Sequence, residues 1–203
     1  IKETLNCLIN QHQEGVELIL CDDNSTDNTF EIISEYEAKH SFVRSFRNEK
    51  NLGMDANFRQ TALHATGEYL WFFGQDDLMH PGCVSHVLST LNQNEDVSIV
   101  YINYSQHSHT MDRVIIESYL EGITLKNQTI TSDLKFSKAQ DYFSLLEDLP
   151  SFLPATITKQ KYWTTTNLTP FFGTAYIQMG LMYLNLDKGS IFVISTPYIR
   201  GRI

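Results

Sequence analysis

Apolar residues in the first hundred positions alternate between short continuous runs and spaced stripes. The run at 16–21 is short and continuous, which is typical of a strand buried on both faces of a parallel sheet. The stripe that follows contains Phe30, Ile33 and Tyr36 on one side of a helical projection, and it predicts an amphipathic helix over about 26–40. The chain therefore begins with the period of a helix-covered sheet.

The same two patterns repeat and predict an α/β fold. In chain order they predict a helix at 1–12, strands at 16–21, 42–46, 67–73 and 97–104, and helices at 26–40, 54–66 and from Pro81 through Leu91. Short links between such elements favour a mostly parallel central sheet with helices on both faces. A helix that feeds a buried strand normally follows an earlier strand, so we expect the first strand of the sheet to be missing from this sequence.

The second half of the chain has a different composition. Residues 105–135 are polar and predict a hairpin or an excursion over the sheet, and helices at 138–148 and 174–189 precede a last strand at 190–195. The change near residue 105 divides one domain into a core half at 1–104 and a specificity half at 105–203.

Composition narrows the class of protein. With 203 residues, 42% of them apolar and 19% charged, the chain suits one soluble globular domain. The net charge of −9 argues against a nucleic-acid-binding surface. Three cysteines without metal-ligand spacing favour reduced thiols in a cytoplasmic protein. An acidic chain that binds a phosphorylated substrate needs a metal ion or a few well-placed basic residues.

Two pairs of adjacent carboxylates follow two of the predicted strands. Asp22 and Asp23 come directly after the strand at 16–21, and Asp76 and Asp77 come after the strand at 67–73. Neighbouring parallel strands bring their carboxyl ends to one crevice, where four acids require cations. Hard oxygen donors suit Mg²⁺ or Mn²⁺. The alternative is that each pair caps the element that follows it, but two pairs at equivalent strand ends favour a site.

These motifs resemble glycosyltransferase family two, which has the GT-A fold. The residues that carry the resemblance are "CDDNSTD" at 21–27, "NLG" at 51–53, "GEY" at 67–69 and "GQDD" at 74–77, in the order and near the spacing of that family. "NEKNLG" and "FGQDD" are most similar to bacterial transferases of O-antigen and capsule sugars, such as the abequosyltransferase-like enzymes. The resemblance spans about residues 1–104.

The resemblance implies a role for each carboxylate. Asp23 would accept a hydrogen bond from the nucleotide base, supported by Asp22. Asp76 would contact the ribose or share the metal, and Asp77 would bind the Mg²⁺ or Mn²⁺ that bridges the diphosphate of a nucleoside diphosphate sugar. Residues 1–104 would then bind the donor, and residues 105–203 would bind the acceptor. Asn51 and Gly53 are expected to shape their loop.

The general base is less well marked. Inverting members of the family place a Glu-Asp pair at the start of a late helix, where this chain has Ile177 and Gln178. A glutamine cannot accept the proton of an acceptor hydroxyl as a base must. The candidates are therefore Asp141, Glu147 and Asp148, on the helix predicted at 138–148.

The resemblance implies metal-dependent, inverting transfer of a sugar to a glycan or lipid-linked oligosaccharide in cell-surface polysaccharide synthesis. It implies a cytoplasmic protein, or one associated with the inner face of the cell membrane. Two alternatives stay open: a GT-A domain that binds nucleotide sugar without turnover, and a sugar-phosphate nucleotidyltransferase.

Overall fold

A computed structural model describes residues 1–121, 124–125, 128–143 and 151–203. The described helices are α1 (Lys2–Ile9), α2 (Thr29–Lys39), α3 (Met54–His64), α4 (Cys83–Gln93), α5 (Ala139–Phe143), α6 (Gln160–Thr165) and α7 (Ile177–Tyr183). The described strands are β1 (Leu18–Asp22), β2 (Val43–Arg47), β3 (Tyr69–Trp71), β4 (Leu78–Met79), β5 (Val97–His107), β6 (Val114–Ile116), β7 (Thr124–Leu125), β8 (Gln128–Thr129), β9 (Leu134–Phe136), β10 (Thr156–Lys159) and β11 (Ser190–Arg202).

The predicted α/β fold, a central sheet flanked by helices, is confirmed. β1 and β2 pair in parallel, and the larger sheet has the order β3-β10-β5-β11-β4, with β6 beside β5 and β9 beside β11. The long strands β5 and β11 run parallel, whereas β10 lies antiparallel between β3 and β5. The hydrophobic pattern gave no strand at β10, because "TITK" is short and half polar.

The centre of the core lies between β5 and β11. Ile99, Tyr101 and Val193 on these strands are fully buried. β11 continues well beyond the predicted strand at 190–195, and a register shift between Ile194 and Ile199 accommodates Pro197, which has no N–H to give to a sheet. One long strand therefore crosses the whole sheet despite its proline.

The helix predicted at 174–189 is shorter in the structure. Positive φ values at Gly173 and Ala175 prevent an earlier start. At its other end the Asn185 side chain donates to the Leu181 carbonyl at 2.7 Å, which takes up a helix-terminal acceptor. These two local features confine α7 to Ile177–Tyr183.

β1 and β3 are close but do not pair with each other. A cavity of about 1350 Å³ lies between them and is also lined by α1, α3 and α4. Glu17, directly before β1, accepts hydrogen bonds from the backbone N–H groups of Thr66 at 2.6 Å and Gly67 at 3.1 Å, just before β3. Among the described residues, no helix combines the length and apolar character needed to cross a lipid bilayer.

Candidate active site

The carboxyl ends of β1 and β3 open onto the same end of the cavity. Asp22, Asp23, Gln75 and Asp76 all line it. Parallel strands place their carboxyl ends at one edge, which is where α/β sheets bind ligands. The structure thus brings together three of the predicted site carboxylates. Asp77 is next to them in sequence but is buried behind this surface, at 6% exposure.

Asp22 is a buried acid with one neutralising partner. Its Oδ2 lies 3.3 Å from Arg47 Nε and accepts the Ser25 N–H at 3.1 Å. Its Oδ1 is buried and has no hydrogen-bond partner within the described structure. Buried polar atoms are normally paired, so this oxygen is poised for a donor that the protein does not supply.

Asp23 holds the loop that follows β2. Its Oδ1 accepts hydrogen bonds from Asn48 Nδ2 and the Leu52 N–H, both at 2.8 Å, and its Oδ2 accepts the Gly53 N–H at 2.9 Å. Gly53 has φ +82°, a conformation that favours glycine, and Asn51 Oδ1 also accepts its N–H at 3.1 Å. The expectation that Asn51 and Gly53 shape the loop is confirmed. Asp23 retains lone pairs for a ligand, since a carboxylate has about four acceptor positions.

Asp76 and Asp77 meet above Gly74. A Cβ on Gly74 would stand 2.5 Å from Asp77 Oδ2 and 3.2 Å from Asp76 Oδ1, so glycine is required for the two carboxylates to approach each other there. Asp77 Oδ1 accepts the Arg202 N–H at 3.0 Å. Burial raises the pKa of Asp77 to about 6, opposed by the Arg202 N–H and reinforced by the charge of Asp76.

This pair is a plausible partial metal site. In the described part of the chain, no group of three or more His, Cys, Asp or Glu side chains stands close enough to hold an ion. Mg²⁺ usually takes one or two carboxylates and completes its shell with water and substrate phosphates. Asp76 and Asp77 supply two carboxylates, so the donor set fits a cation that arrives with a diphosphate.

The start of α7 is tied to the loop that Asp23 holds. Asp55, in the first turn of α3, is 4% exposed and accepts the N–H groups of Ala175 at 3.0 Å and Ile177 at 3.3 Å. Gln178 follows directly and lines the cavity, and its Oε1 is buried with no hydrogen-bond partner among the described residues. An amide thus faces the cavity where the resemblance places an acid.

The candidate bases are not brought to this cavity by the described structure. Asp141 is exposed on α5, and it is not among the residues that line the cavity. Phe136, five residues earlier, pairs with Ile191 near the amino end of β11, whereas Asp22 and Asp76 lie at carboxyl ends of strands. Glu147 and Asp148 lie outside the described residues.

Sequence reasoning missed three residues that organise the site. Arg47 was expected to be a solvated surface residue but pairs with Asp22. Arg202 donates through Nε to the Asp76 carbonyl at 2.9 Å and through Nη2 to Glu3 at 2.8 Å, which joins β11 to α1. Asp55 has the place of an ordinary helix-dipole acid. Their long-range partners leave no signal in local spacing.

Comparison with known proteins agrees with the site geometry. The family model of Glycosyl transferase family 2 matches residues 1–145. The chain is 24% identical to the abequosyltransferase RfbV of Salmonella typhimurium over 208 residues, covering 98% of this chain and 61% of that protein. It is 38% identical over 79 residues to the cholesterol galactosyltransferase of Borreliella burgdorferi, covering 37% of this chain and 22% of that one. The chain thus spans less than two thirds of the length of these relatives.

Solved structures show the same fold. The crystal structure of Staphylococcus aureus TarS 1–349 superposes with a TM-score of 0.72 at 18% identity, covering 99% of this chain and 56% of that one. TarS 1–349 in complex with UDP-GlcNAc superposes with a TM-score of 0.65 at 20% identity, covering 100% of this chain and 54% of that one. With the family model matched over most of its residues, the chain belongs to glycosyltransferase family 2.

Proposed function

We propose that this chain is the nucleotide-sugar-binding and transfer domain of an inverting, metal-dependent glycosyltransferase. The observation that carries the proposal is the meeting of Asp22, Asp23 and Asp76 at one end of the cavity, with Asp77 directly behind them. Membership of family 2 favours this function over a sugar-phosphate nucleotidyltransferase. The solved complexes of TarS with UDP and with UDP-GlcNAc support a nucleoside diphosphate sugar as donor.

The carboxylates divide the donor between them. Asp23 accepts a hydrogen bond from the base while its other contacts keep the 48–53 loop in place. The unpartnered Oδ1 of Asp22 supports it from the floor of the site. Asp76 contacts the ribose or shares a cation with Asp77. A bound Mg²⁺ or Mn²⁺ would supply Lewis-acid stabilisation of the charge that builds on the departing diphosphate.

Transfer exchanges one bond for another at the anomeric carbon. The bond to the diphosphate oxygen breaks, and its electron pair leaves with the nucleoside diphosphate. The acceptor hydroxyl oxygen forms the new bond from the opposite face, which inverts the configuration. Its proton passes to a carboxylate, for which Asp141, Glu147 and Asp148 are the candidates.

The acceptor is a glycan or lipid-linked oligosaccharide used in cell-surface polysaccharide synthesis. The named activity of the Salmonella relative, abequosyl transfer, supports this class of reaction. We place the acceptor in the 105–203 half and the donor in the 1–104 half. The protein acts in the cytoplasm or at the inner face of the cell membrane, where lipid-linked acceptors are presented.

A second function follows from Gln178. The amide at the start of α7 lines the cavity and cannot serve as a base. A domain that binds nucleotide sugar without turnover would retain every donor contact described above and lack only proton transfer.

One pair of measurements tests both functions. Calorimetric titration with UDP, GDP, CDP and TDP sugars, with and without Mn²⁺, measures donor binding, and release of nucleoside diphosphate with crude lipid-linked acceptor measures transfer. Metal-dependent binding with product release supports the transferase. Binding without release under any acceptor supports the non-catalytic domain. If no nucleoside diphosphate sugar binds, both functions fail.

A further inference from the structure

We propose that the cavity between β1 and β3 is a slot for one more β-strand, attached ahead of Ile1 and running parallel to both neighbours. This inference stands on the strand edges and helix directions, and it does not depend on the reaction. The inserted strand would join the two-stranded and the larger sheet into one.

The first observation is that two strand edges face the cavity. β1 pairs with β2 along one edge and β3 pairs with β10 along one edge, and in the described part of the chain their other edges have no partner. All residues of β1 and all residues of β3 line the cavity. Successive residues of a strand point to opposite faces, so a cavity that touches all of them runs along the edge.

The second observation concerns burial and size. The run Leu18–Cys21 is apolar without interruption, yet each of its residues is only partly buried. Leu5 and Val87, from α1 and α4, also line the cavity, so it is walled by apolar side chains on its helical side. Its volume of about 1350 Å³ exceeds the roughly 300–1,000 Å³ of small-molecule pockets. An apolar strand suits these walls better than a polar ligand does.

The third observation fixes direction and source. α1 starts at the site end of the cavity, where Thr4 Oγ1 donates to the Gln75 carbonyl at 2.8 Å. It leads to the opposite end, where His12 stacks on Phe42, directly before β2, at 3.5 Å between ring centroids. A strand that runs parallel to β1 would end beside Gln75, where α1 begins. Strand, α1 and β1 would then form one βαβ unit, for which a covalently attached strand is the natural occupant.

The contact between Glu17 and Thr66 shows that the slot is held open. Glu17 Oε1 accepts both the N–H and the hydroxyl of Thr66, at 2.6 and 2.8 Å, at the amino ends of β1 and β3. This link fixes the two strands relative to each other without direct pairing. Their free edges therefore remain available to an inserted strand that bonds to both.

Hydrogen exchange on the unmodified chain gives the first test. We expect the amides of β1 and β3 that do not bond to β2 or β10 to exchange at least about 100-fold faster than those of β5, because no strand covers them. Protection equal to that of β5 would mean that β1 and β3 pair directly in solution, and would overturn the proposal.

Fusion supplies the second test. A five-residue Val- and Ile-rich segment joined to Ile1 by a short turn is compared with a control that carries proline at two central positions. We expect the first to protect the free-edge amides and to raise the melting temperature by about 5 °C or more, and the control to do neither. Equal behaviour of the two fusions refutes the slot. Equal protection by the same segment added as a free peptide at equimolar concentration refutes covalent attachment.

Discussion

Asp23 and Gly53 are held together across 30 positions of sequence by a 2.9 Å hydrogen bond from the Gly53 N–H to Asp23 Oδ2. The bond fixes the start of α3, since Gly53 is the residue that precedes its first turn. The carboxylate proposed to contact the nucleotide base therefore also shapes the loop beside it. Changes at Asp23 should affect the base more than the diphosphate.

Replacement of Asp23 by asparagine tests this division. In Asp23→Asn the amide group can accept one of the loop N–H groups but faces the others with its own donors, so the 48–53 loop should shift. We expect altered preference among UDP, GDP, CDP and TDP donors, with metal dependence retained, in calorimetric titrations. Asp27→Asn, at an exposed acid of the same turn, is the matched control. Unchanged base preference in Asp23→Asn would contradict the assignment.

Asp77 should make both stability and metal binding depend on pH. Its pKa is raised from 3.8 to about 6 by burial, so the folded state holds this proton more tightly than the unfolded state. The free energy of unfolding should therefore fall as the pH rises from about 4 to 6. Mn²⁺-dependent donor binding should strengthen over the same range, because the cation needs the ionised carboxylate.

Asp77→Asn is the variant that checks this behaviour. It should remove the Asp77 contribution to the pH dependence in urea titrations at pH 4–7, and it should weaken metal-dependent donor binding. A wild-type slope that persists unchanged in the variant would assign the titration to another group.

Gly74→Ala should damage the site without unfolding the protein. The added methyl group would stand 2.5 Å from Asp77 Oδ2, so the buried carboxylate must move. We expect donor affinity in the presence of Mn²⁺ to fall by about 10- to 100-fold, as for displaced neighbours of a metal ligand. Gly67→Ala is the control, since its methyl group meets only the Tyr69 carbonyl, at 3.4 Å. Equal donor affinity in the two variants would argue against a role for the pair.

The base is tested by single substitutions at the three candidates. Asp141→Asn, Glu147→Gln and Asp148→Asn are assayed separately for donor binding and for transfer. One of them should abolish transfer and leave donor affinity intact, because a base contacts the acceptor proton and not the nucleotide. Full transfer in all three would place the base elsewhere. In that case Gln178→Glu shows whether a carboxylate at the start of α7 raises the rate.

Asp55 should contribute to stability through the turn before α7. Asp55→Ala leaves the N–H groups of Ala175 and Ile177 without their acceptor, at a cost of about 2 kcal/mol in the free energy of unfolding. Glu31→Ala, at an exposed acid in the first turn of α2, should cost far less. Urea titration of both variants measures the difference, and equal stability would show that the turn holds its shape without Asp55.

Local pattern predicted the parts of the fold that local physics determines. The stripes of α2, α3 and α4 and the apolar runs of β1 and β5 depend on side chains close in sequence. β10 was missed because "TITK" becomes a strand only between β3 and β5. The strand-end carboxylates were found because topology brings such ends together. Arg202 was not, because its contacts with Asp76 and Asp77 span more than a hundred positions.

The position of β10 also sets the order in which the protein can fold. β3 joins the larger sheet only through β10, where Trp71 pairs with Ile157. Its free edges must wait until residues 156–159 have been synthesised and have returned to the sheet. Such long-range pairing is slow, in the range of milliseconds to seconds, and leaves apolar edges open to aggregation meanwhile. We therefore expect refolding yield to fall steeply with protein concentration and to improve with a chaperone that shields nascent strands.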